Sequence, residues 1–440
     1  MGLVYAQMGQ HQKAAERFRE AIRLDPSNEV AHNSLGLTLG ALGSHDLAVK
    51  EFERAVSSRA DFAEAYNNLG LAYLALMRPE PAITALEKAV ALDPKSAHAH
   101  NNLGHVYSTV KAYDRAIREF RKAIDLDPAF YGPYENLGVL YTMRGEYPQA
   151  VAELQTALRR APGVASIRTN LGVAHLGLKQ YPEAIARFHE AIRLDPNDAK
   201  ARLNFGNAYF QQGQFAPALT EYQRAAALAP NDPDTHENVG HALFRLGQHK
   251  PALAAYQKAE ALGSRNLSLF RGIGNAYASL KDYRQALAEY QKALDVDGRD
   301  LPSLINVGWM HHMLGEYRES LAAGRRAIDV APDYPVGWYN LALSHLRLRE
   351  FDASMATFEQ AFAKDAQRAF VRDVIADLTQ AVMDDPGLKW GHFALGLLYM
   401  HLAQRPADAI QAFETFIHSE GTGKWAEQAR ARLKQLTAKK

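Results

Sequence analysis

The sequence predicts an all-α solenoid of stacked helix-turn-helix hairpins. Three observations predict this fold: an internal period of 34 residues, a glycine that recurs once per period, and apolar residues spaced as on helix faces. Ten complete 34-residue units run from 29 to 368, so we number positions 1 to 34 in each unit. The first unit begins at Glu29 and the last at Pro335.

The first half of each unit predicts one helix with a marked face. Positions 4, 7, 8 and 11 share a face at about 3.6 residues per turn, and position 7 is always apolar. A glycine inside a helix costs about 1 kcal/mol relative to alanine, so its recurrence predicts that two backbones approach closely there. Position 8 is Ala342 in the tenth unit and glycine in the other nine, at Gly36, Gly70, Gly104, Gly138, Gly172, Gly206, Gly240, Gly274 and Gly308.

The second half of each unit predicts a second helix. Position 27 is alanine in all ten units, position 20 is alanine in eight, with Ser320 and Ser354 in the others, and position 24 is large and apolar in nine. These positions share one helix face, so small residues meet large ones between the helices. Proline ends the second helix because it lacks the N–H that a continuing helix needs. It occupies position 32 in six units, at Pro94, Pro128, Pro162, Pro196, Pro230 and Pro332.

This pattern resembles the tetratricopeptide repeat family. The unit at 63–96 carries nearly the whole family signature, with Leu86 in place of an aromatic residue and matches at Tyr66, Leu69, Gly70, Tyr73, Ala82, Ala89 and Pro94. The resemblance implies a right-handed superhelix in which the first helices line a concave inner surface. In this family that surface usually binds peptides or proteins.

The ends of the chain depart from the complete units. Residues 1–28 read as a partial unit that begins within its first helix, which predicts a missing upstream segment or a packing partner. We expect an irregular helix at 369–387, an atypical hairpin at 388–418 and a capping helix at 424–440. The cap has an apolar seam, and its basic tail is expected to be solvated rather than bound to an acidic partner; the residues are Trp425, Ala429, Leu433, Leu436, Lys439 and Lys440.

Composition excludes several functions. The chain has no cysteine, and 50 Lys and Arg residues balance 49 Asp and Glu residues. The first fact excludes disulfides and thiol nucleophiles, and the second removes the general electrostatic case for nucleic acid. No stretch approaches the roughly 18 apolar residues of a membrane span, and the first residues form no signal peptide. We therefore expect no membrane insertion and a cytoplasmic location.

The first helices leave positions 2, 6, 9 and 13 free, because these positions point away from the packed face. We call this surface the inner face. Stacked amides at position 6 could bind both C=O and N–H groups of an extended peptide. The alternative is that they bond neighbouring helices. Position 6 is asparagine in eight units, at Asn68, Asn102, Asn136, Asn170, Asn204, Asn238, Asn306 and Asn340. This asparagine ladder is similar to the one in the superhelix of O-linked N-acetylglucosamine transferase, which holds substrate peptides.

Aromatic side chains cluster toward the C-terminal half of the inner face and its margins. Such a surface predicts contacts that select the peptide, and the alternative is that several of these side chains lean sideways into the next hairpin. The residues are Phe210, Phe244, Trp309 and Tyr339, with His241, His312 and Met313 beside them. Some family members bind a C-terminal carboxylate with a clamp of cations and asparagines. Arg271, Asn275 and Asn306 match part of that clamp, but Val336 and Asn340 stand where its last cations belong, so we do not expect it.

The sequence contains no recognisable catalytic motif. No phosphate-binding loop and no nucleophile elbow is present, and His189-Glu190 lacks the second histidine of a zinc-protease helix. His175, His311 and His345 replace tyrosine at position 11, where we expect core packing rather than metal binding. We therefore expect neither a cofactor nor an enzyme.

These observations predict a non-catalytic scaffold that binds an extended peptide or partner protein in a concave groove. One alternative is the substrate-recruiting arm of a multidomain enzyme such as a protein O-glycosyltransferase. Another is an assembly scaffold, which forms homo-oligomers through the N-terminal end of the solenoid.

Overall fold

The computed structural model describes residues 1–402 and 405–438, and every regular element in these ranges is an α-helix. This confirms the all-α prediction. The chain forms two compact structural units that are much larger than the 34-residue repeats. The first unit is Met1–Leu228 and the second unit is Ala229–Lys440. Lys439 and Lys440 lie outside the described residues, so the expectation for the basic tail has no structural counterpart.

The first unit contains fourteen described helices. They are α1 (Gly2–Gln7), α2 (His11–Leu24), α3 (Glu29–Ala41), α4 (His45–Ser58), α5 (Ala63–Ala75), α6 (Pro79–Leu92), α7 (Ala97–Thr109), α8 (Tyr113–Leu126), α9 (Tyr131–Met143), α10 (Tyr147–Arg160), α11 (Ala165–Gly177), α12 (Tyr181–Leu194), α13 (Ala199–Gln211) and α14 (Phe215–Leu228).

Twelve helices are described in the second unit. They are α15 (Pro233–Arg245), α16 (His249–Ala261), α17 (Leu267–Ser279), α18 (Tyr283–Val296), α19 (Leu301–Met313), α20 (Tyr317–Val330), α21 (Pro335–Arg347), α22 (Phe351–Lys364), α23 (Val371–Asp384), α24 (Lys389–Met400), α25 (Pro406–Glu420) and α26 (Lys424–Thr437).

Each 34-residue unit of the sequence is one helical hairpin. In the hairpin of α5 and α6, for example, the first helix has 13 residues and the second has 14. Within each unit, second helices pack on the first helix of the following hairpin, as α4 packs on α5 and α16 packs on α17. First helices of successive hairpins also touch, as α3 touches α5 and α9 touches α11.

A left-handed residue at position 15 closes the turn inside every complete hairpin. The backbone φ is 76° at Gly43 and 58° at Met77, and the N–H of Arg78 donates to the carbonyl of Tyr73 at 2.9 Å. This bond satisfies a carbonyl that the helix end leaves free, as in a Schellman turn. The residues at position 15 are Gly43, Met77, Lys111, Gly145, Lys179, Gly213, Gly247, Lys281, Gly315 and Arg349.

The glycine at position 8 lies beneath the large side chain at position 24 of its own hairpin. A Cβ atom added to Gly172 would lie 2.7 Å from Cε1 of Phe188, closer than real Cβ contacts come. Backbone atoms lie farther away than the ring: a Cβ on Gly104 would lie 2.8 Å from the Phe120 ring and 3.2 Å from the carbonyl oxygen of Ala116. The glycine therefore mainly makes room for a ring or a leucine, which refines the expectation of two closely approaching backbones.

The hairpin of α19 and α20 is built differently, because position 24 is Gly324. A Cβ on Gly308 would meet nothing closer than Cβ of Ala323 at 3.6 Å, which is ordinary contact. Ser320 donates its hydroxyl to the carbonyl of Gly308 and lies 2.8 Å from the hydroxyl of Ser344. Buried hydroxyls here take the place of a large apolar side chain.

The turn between hairpins is fastened by the large residue at position 4. His32 Nε2 lies 3.1 Å from the carbonyl oxygen of Pro26, and the indole N–H of Trp338 donates to the carbonyl of Pro332 at 2.8 Å. A carbonyl at a helix end needs such a donor, because it has no partner within the helix. The same contact recurs between His100 and Pro94, Tyr134 and Pro128, Arg202 and Pro196, and His236 and Pro230.

The repeat register slips at a buried aspartate. Asp365 accepts hydrogen bonds from the backbone N–H groups of Ala369 and Phe370 and from the hydroxyl of Tyr339. The carboxylate satisfies two backbone donors of this turn, and α23 begins directly after them at Val371. It is a continuous 14-residue helix, where the sequence predicts an irregular one over 369–387.

Aromatic rings form the core at the end of the second unit. The rings of Phe393 on α24 and Phe413 on α25 lie 5.6 Å apart, and Trp425 of α26 lies 5.3 Å from Phe393. Ala429 is fully buried, and Leu433 and Leu436 pack against the same core. Across the described residues, no helix is both long and apolar enough to cross a membrane.

We expect glycine-to-alanine changes at position 8 to have opposite effects in two hairpins. Gly172→Ala forces the new methyl group into Phe188 and should destabilise the protein by about 1–3 kcal/mol. Gly308→Ala fits without a clash and should stabilise the protein by about 0.5–1 kcal/mol, because alanine favours helix. Urea unfolding followed by circular dichroism measures the free energy of unfolding of both variants. Equal effects would contradict the difference in packing around Gly172 and Gly308.

Candidate functional site

The inner face of the first unit runs across α3, α5, α7, α9, α11 and α13. Its position 9 carries a row of aliphatic side chains broken only by His105 and by Asn207 at the end. Leu37 is 48% exposed and Leu71 is 38% exposed. Val139 and Val173 continue the row and are half-buried. Leu37 and Leu71 therefore lie open on this surface, whereas Val173 also packs against the core around Phe188.

The asparagines at position 6 bond the preceding first helix. Asn68 donates an amide hydrogen to Oδ1 of Asn33 at 3.0 Å, which ties α5 to α3. Each such bond leaves a second amide hydrogen and oxygen lone pairs. The expected alternative role therefore holds here without exhausting the amides. The same bond joins Asn102 to Asn67, Asn136 to Asn101, and Asn170 to Glu135.

The acceptors at position 5 are residues that sequence reasoning missed. Asn33, Asn67, Asn101 and Glu135 each precede their asparagine partner by 35 residues. A polar residue followed by asparagine at this spacing is the signal that could have identified them. Thr169 and Leu203 occupy position 5 in the next two hairpins.

A groove of about 380 Å³ lies across α9, α11 and α13. Val139, Met143 and Val173 form its apolar side, and the amides of Asn170 and Asn204 lie at its polar side. Ser166, Thr169, Thr142, Asp198 and Lys200 complete the lining.

The charges of this groove come from Lys200 and Asp198. Asp198 accepts a hydrogen bond from the backbone N–H of Ala201 at 2.9 Å and so caps α13. Lys200 is exposed and forms no ion pair with any residue that the structure describes.

A second groove, of about 230 Å³, is lined by α3, α4 and α5. Leu37 and Leu71 stand at its walls, and the small residues Gly40 and Ala75 leave it open. The amide of Asn68 also lines it. Both grooves thus combine exposed aliphatic carbon with a ladder amide.

Buried tyrosines reach the inner face where position 24 is tyrosine. In the first unit, the hydroxyl of Tyr222 donates to Oδ1 of Asn207 at 2.8 Å. In the second unit, the hydroxyl of Tyr290 donates to Oδ1 of Asn275 at 2.7 Å. Burial raises the pKa of both tyrosines, so they stay protonated as donors. The position 9 amides are therefore oriented from within the core.

His241 is held in the second unit by three polar partners. Its Nδ1 lies 2.8 Å from the hydroxyl of Tyr256, and its Nε2 lies 3.1 Å from Oγ of Ser268 and 3.4 Å from Oε1 of Glu237. A carboxylate only accepts, so the tautomer with hydrogen on Nε2 fits this arrangement. Burial disfavours the charge of Glu237, but hydrogen bonds from His241, Asn266 and Ser268 hold its pKa below the ordinary value.

The ladder asparagines of the second unit have other surroundings. Asn238 donates to the carbonyl of Asp234 in its own helix at 2.8 Å. Asn306 and Asn340 are half-buried. Gly272 interrupts the ladder because the ring of Tyr256 lies against it, where an added Cβ would come within 2.8 Å.

The predicted aromatic contacts mostly turn toward their own hairpins. Phe210 lies 5.2 Å from the ring of Phe215, and Phe244 lies 5.1 Å from the ring of His249, at the start of the second helix in each case. These two side chains lean sideways toward the second helices of their own hairpins, whereas the alternative expected the next hairpin.

Trp309 and Tyr339 differ sharply in exposure. Trp309 is half-buried and stacks on His312 at 5.1 Å with planes 4° apart. Burial and the charge of Arg347 lower the pKa of His312 to about 4, so it is neutral at pH 7. Tyr339 is only 1% exposed and its hydroxyl bonds Asp365. A side chain in the core cannot contact a peptide, so we remove Tyr339 from the proposed surface.

The groups considered for other chemistry are engaged in structural contacts. Arg271 pairs with Asp300 at 3.3 Å, and Asn275 accepts from Tyr290, so neither matches a free carboxylate clamp. His311 and His345 bond Glu316 and Glu350 in their own turns. His175 likewise bonds Gln180. Within the described ranges, no three His, Asp or Glu side chains converge as metal ligands do.

We expect Asn102→Ala and Asn204→Ala to differ in stability. The first removes a half-buried hydrogen bond to Asn67 and should cost about 0.5–1.5 kcal/mol. The second removes an amide that lines a groove and should change the free energy of unfolding by less than about 0.5 kcal/mol. Urea unfolding measures both variants, and an equal loss would show that the two amides have the same structural role.

Models of one repeat family match the chain along most of its length. Models described as TPR repeat or tetratricopeptide repeat cover residues 2–43, 30–62, 63–96, 110–171, 177–213, 206–247, 264–333 and 314–369. Among curated proteins, none matches the chain.

Solved structures of repeat proteins are similar to the chain. A tetratricopeptide repeat protein from Parabacteroides merdae is 15% identical, covers 59% of this chain and 99% of its own, and has a TM-score of 0.46. The pilF protein of Pseudomonas aeruginosa is 25% identical over 48% of this chain and 96% of its own, with a TM-score of 0.43. YrrB, described as a TPR protein with an unusual peptide-binding site, is 24% identical over 43% and 97%, with a TM-score of 0.36.

Proposed function

Because the chain belongs to the tetratricopeptide repeat family, we propose that it is a non-catalytic scaffold that binds an extended segment of a partner protein along the inner face of its first unit. The observation that carries this proposal is the row of open aliphatic side chains beside the ladder amides. Family membership supports a protein-interaction role, and the row indicates which surface performs it.

The aliphatic row supports binding because exposed carbon gains free energy when it is covered. Leu37 and Leu71 expose 48% and 38% of their surface, and Met143 exposes 60%. Covering a leucine-sized side chain fully contributes about 1.5–3 kcal/mol. Since these side chains line grooves of about 230 and 380 Å³, a partner can insert its own apolar side chains between them.

The ladder amides support binding of a main chain rather than of a particular side chain. Asn68 and Asn170 each use one amide hydrogen on the neighbouring helix and retain donor and acceptor capacity. A peptide in extended conformation presents C=O and N–H groups that such amides can bond. The amides would then hold the backbone while the aliphatic row selects the side chains.

Spacing sets the length of the segment. Packed helices lie about 8–10 Å apart, and an extended chain advances about 3.3 Å per residue. Each hairpin therefore accommodates about three residues of ligand. A segment of about 16 residues would cross five or six first helices, which is the extent of the inner face in this unit.

A substrate-recruiting arm of a larger enzyme would use the same face in the same way. Both functions therefore require that a peptide binds to the inner face. Self-assembly would instead cover surface with a second copy of the chain. Its signature is a mass that increases with protein concentration, which sedimentation measures directly.

We expect a displayed library of random 16-residue peptides to yield ligands that depend on the inner face. Leu37→Asp and Met143→Asp place a charge in the two grooves, and at least one should weaken a selected peptide by about tenfold or more. Matched controls are Leu47→Asp on α4, 48% exposed, and Met77→Asp in a turn, 85% exposed. Each control should change affinity by less than about twofold.

Fluorescence anisotropy with the selected peptide supplies the affinities, and circular dichroism verifies that every variant remains helical. If no peptide is enriched, or if Leu47→Asp weakens binding as much as Leu37→Asp, the proposed function is wrong.

A further inference from the structure

A groove of about 380 Å³ lies between α12 and α14 of the first unit, away from the inner face, and α13 contributes to its lining. We call it the outer groove. Ile192 and the ring of Phe205 form its apolar floor. Arg193, Arg202 and Arg224 surround them with a single carboxylate, Glu221, and His189 stands at the edge.

Two of the three guanidinium groups of the outer groove are pre-positioned by hydrogen bonds. Arg202 donates to the carbonyl of Pro196 and, at 3.1 Å, to Oε2 of Glu221. Arg224 donates to Oε1 of the same carboxylate at 2.6 Å. One buried carboxylate therefore orients two arginines and neutralises only one of them. Side chains that are already ordered lose little conformational entropy when a ligand binds.

Arg193 adds a cation that has no carboxylate partner. It is exposed at the rim, and no ion pair joins it to a residue in the described ranges. The whole groove therefore holds three guanidinium groups against one carboxylate. This excess of positive charge is not a property of the chain, whose formal net charge is +1.

The preceding hairpin repeats the arrangement. Arg168 and Arg187 both bond Oε2 of Glu190, at 3.2 and 2.8 Å. Two arginines again share one carboxylate. Residues 155–228 contain nine Lys and Arg residues against five Asp and Glu residues, so this stretch is positive within a nearly neutral chain. A ligand that leaves the outer groove toward α11 meets further positive charge.

We propose that the outer groove is a second interaction site, which binds an acidic segment of a partner protein and takes one of its apolar side chains between α12 and α14. Arginine forks bind carboxylates through paired hydrogen bonds, which accounts for the acidic residues. The floor of Ile192 and Phe205 accounts for the apolar one. A nucleic-acid backbone would leave that floor uncovered and would require a longer stripe of cations.

The test uses the full chain and a labelled twelve-residue peptide in which glutamates flank a central leucine. Fluorescence anisotropy compares the wild type with the double variant Arg193→Gln/Arg224→Gln, which removes two rim charges without introducing a new one. We expect affinity to fall about tenfold or more, and a peptide with glutamine in place of glutamate to bind the wild type at least about tenfold more weakly.

The chain offers a matched control at the same repeat positions of another hairpin. Arg23 and Arg54 correspond in repeat position to Arg193 and Arg224, and each is paired with a glutamate, Glu20 or Glu51. Arg54 is 62% exposed and Arg224 is 59% exposed, so the two substitutions disturb the fold alike. Arg23→Gln/Arg54→Gln should change affinity by less than about twofold.

Three results would overturn the proposal: an equal loss in the control variant, equal affinity for the glutamine peptide, or tighter binding of a twelve-nucleotide oligothymidylate than of the acidic peptide. Peptides selected on the inner face should still bind the Arg193→Gln/Arg224→Gln variant. The two sites therefore succeed or fail separately.

Discussion

The contact between the side chain at position 24 and the glycine at position 8 underlies the rest of the structure. Phe188 lies on Gly172 so closely that even a methyl group would collide with the ring. This contact sets how far apart the two helices of a hairpin lie, and it commits one face of the first helix to the core. The opposite face of the first helix is then left outside the core, and stacking repeats this face once per hairpin. Where Gly324 removes the large side chain, Ser320 and Ser344 join the helices through hydroxyl groups instead.

The proposed binding role of the asparagine ladder falls on side chains that already have a structural role. An amide has enough hydrogen-bonding groups for both, because one hydrogen can tie two first helices while the remaining groups face solvent. Asn102 and Asn204 separate these roles, since the first is bonded to Asn67 and the second lines a groove. Substitutions along the ladder therefore do not report binding alone. The aliphatic side chains at position 9 are a cleaner probe of binding. Leu37, for example, is 48% exposed and, unlike an asparagine, forms no side-chain hydrogen bond to the neighbouring helix.

The two proposed sites share α13 but use different faces of it and rest on different interactions. The inner face lies on first helices, carries charges of both signs such as Lys200 and Asp198, and would gain free energy mainly by covering carbon. The outer groove is lined by the second helices α12 and α14 and by α13, and it holds Arg193, Arg202 and Arg224 around a small apolar floor. Under these proposals, binding at the outer groove would depend on charge and weaken with salt, whereas binding at the inner face would be much less sensitive to salt. The two proposed sites would then hold two separate segments.

The sequence by itself determined the period, the helices and the free face, because these depend on residues spaced regularly within one helix or one hairpin. It also indicated the asparagine ladder. Only the tertiary structure decided which partners the side chains meet. Asn68 finds its acceptor on another helix 35 residues away. Tyr339 is buried against Phe358 and Phe362 of the next helix, and Asp365 beyond that helix accepts its hydroxyl hydrogen. Glu221 gathers arginines from two helices into a groove that no linear motif reveals. Periodicity specifies direction, but a contact needs a second element, and its distance is set only when the hairpins pack.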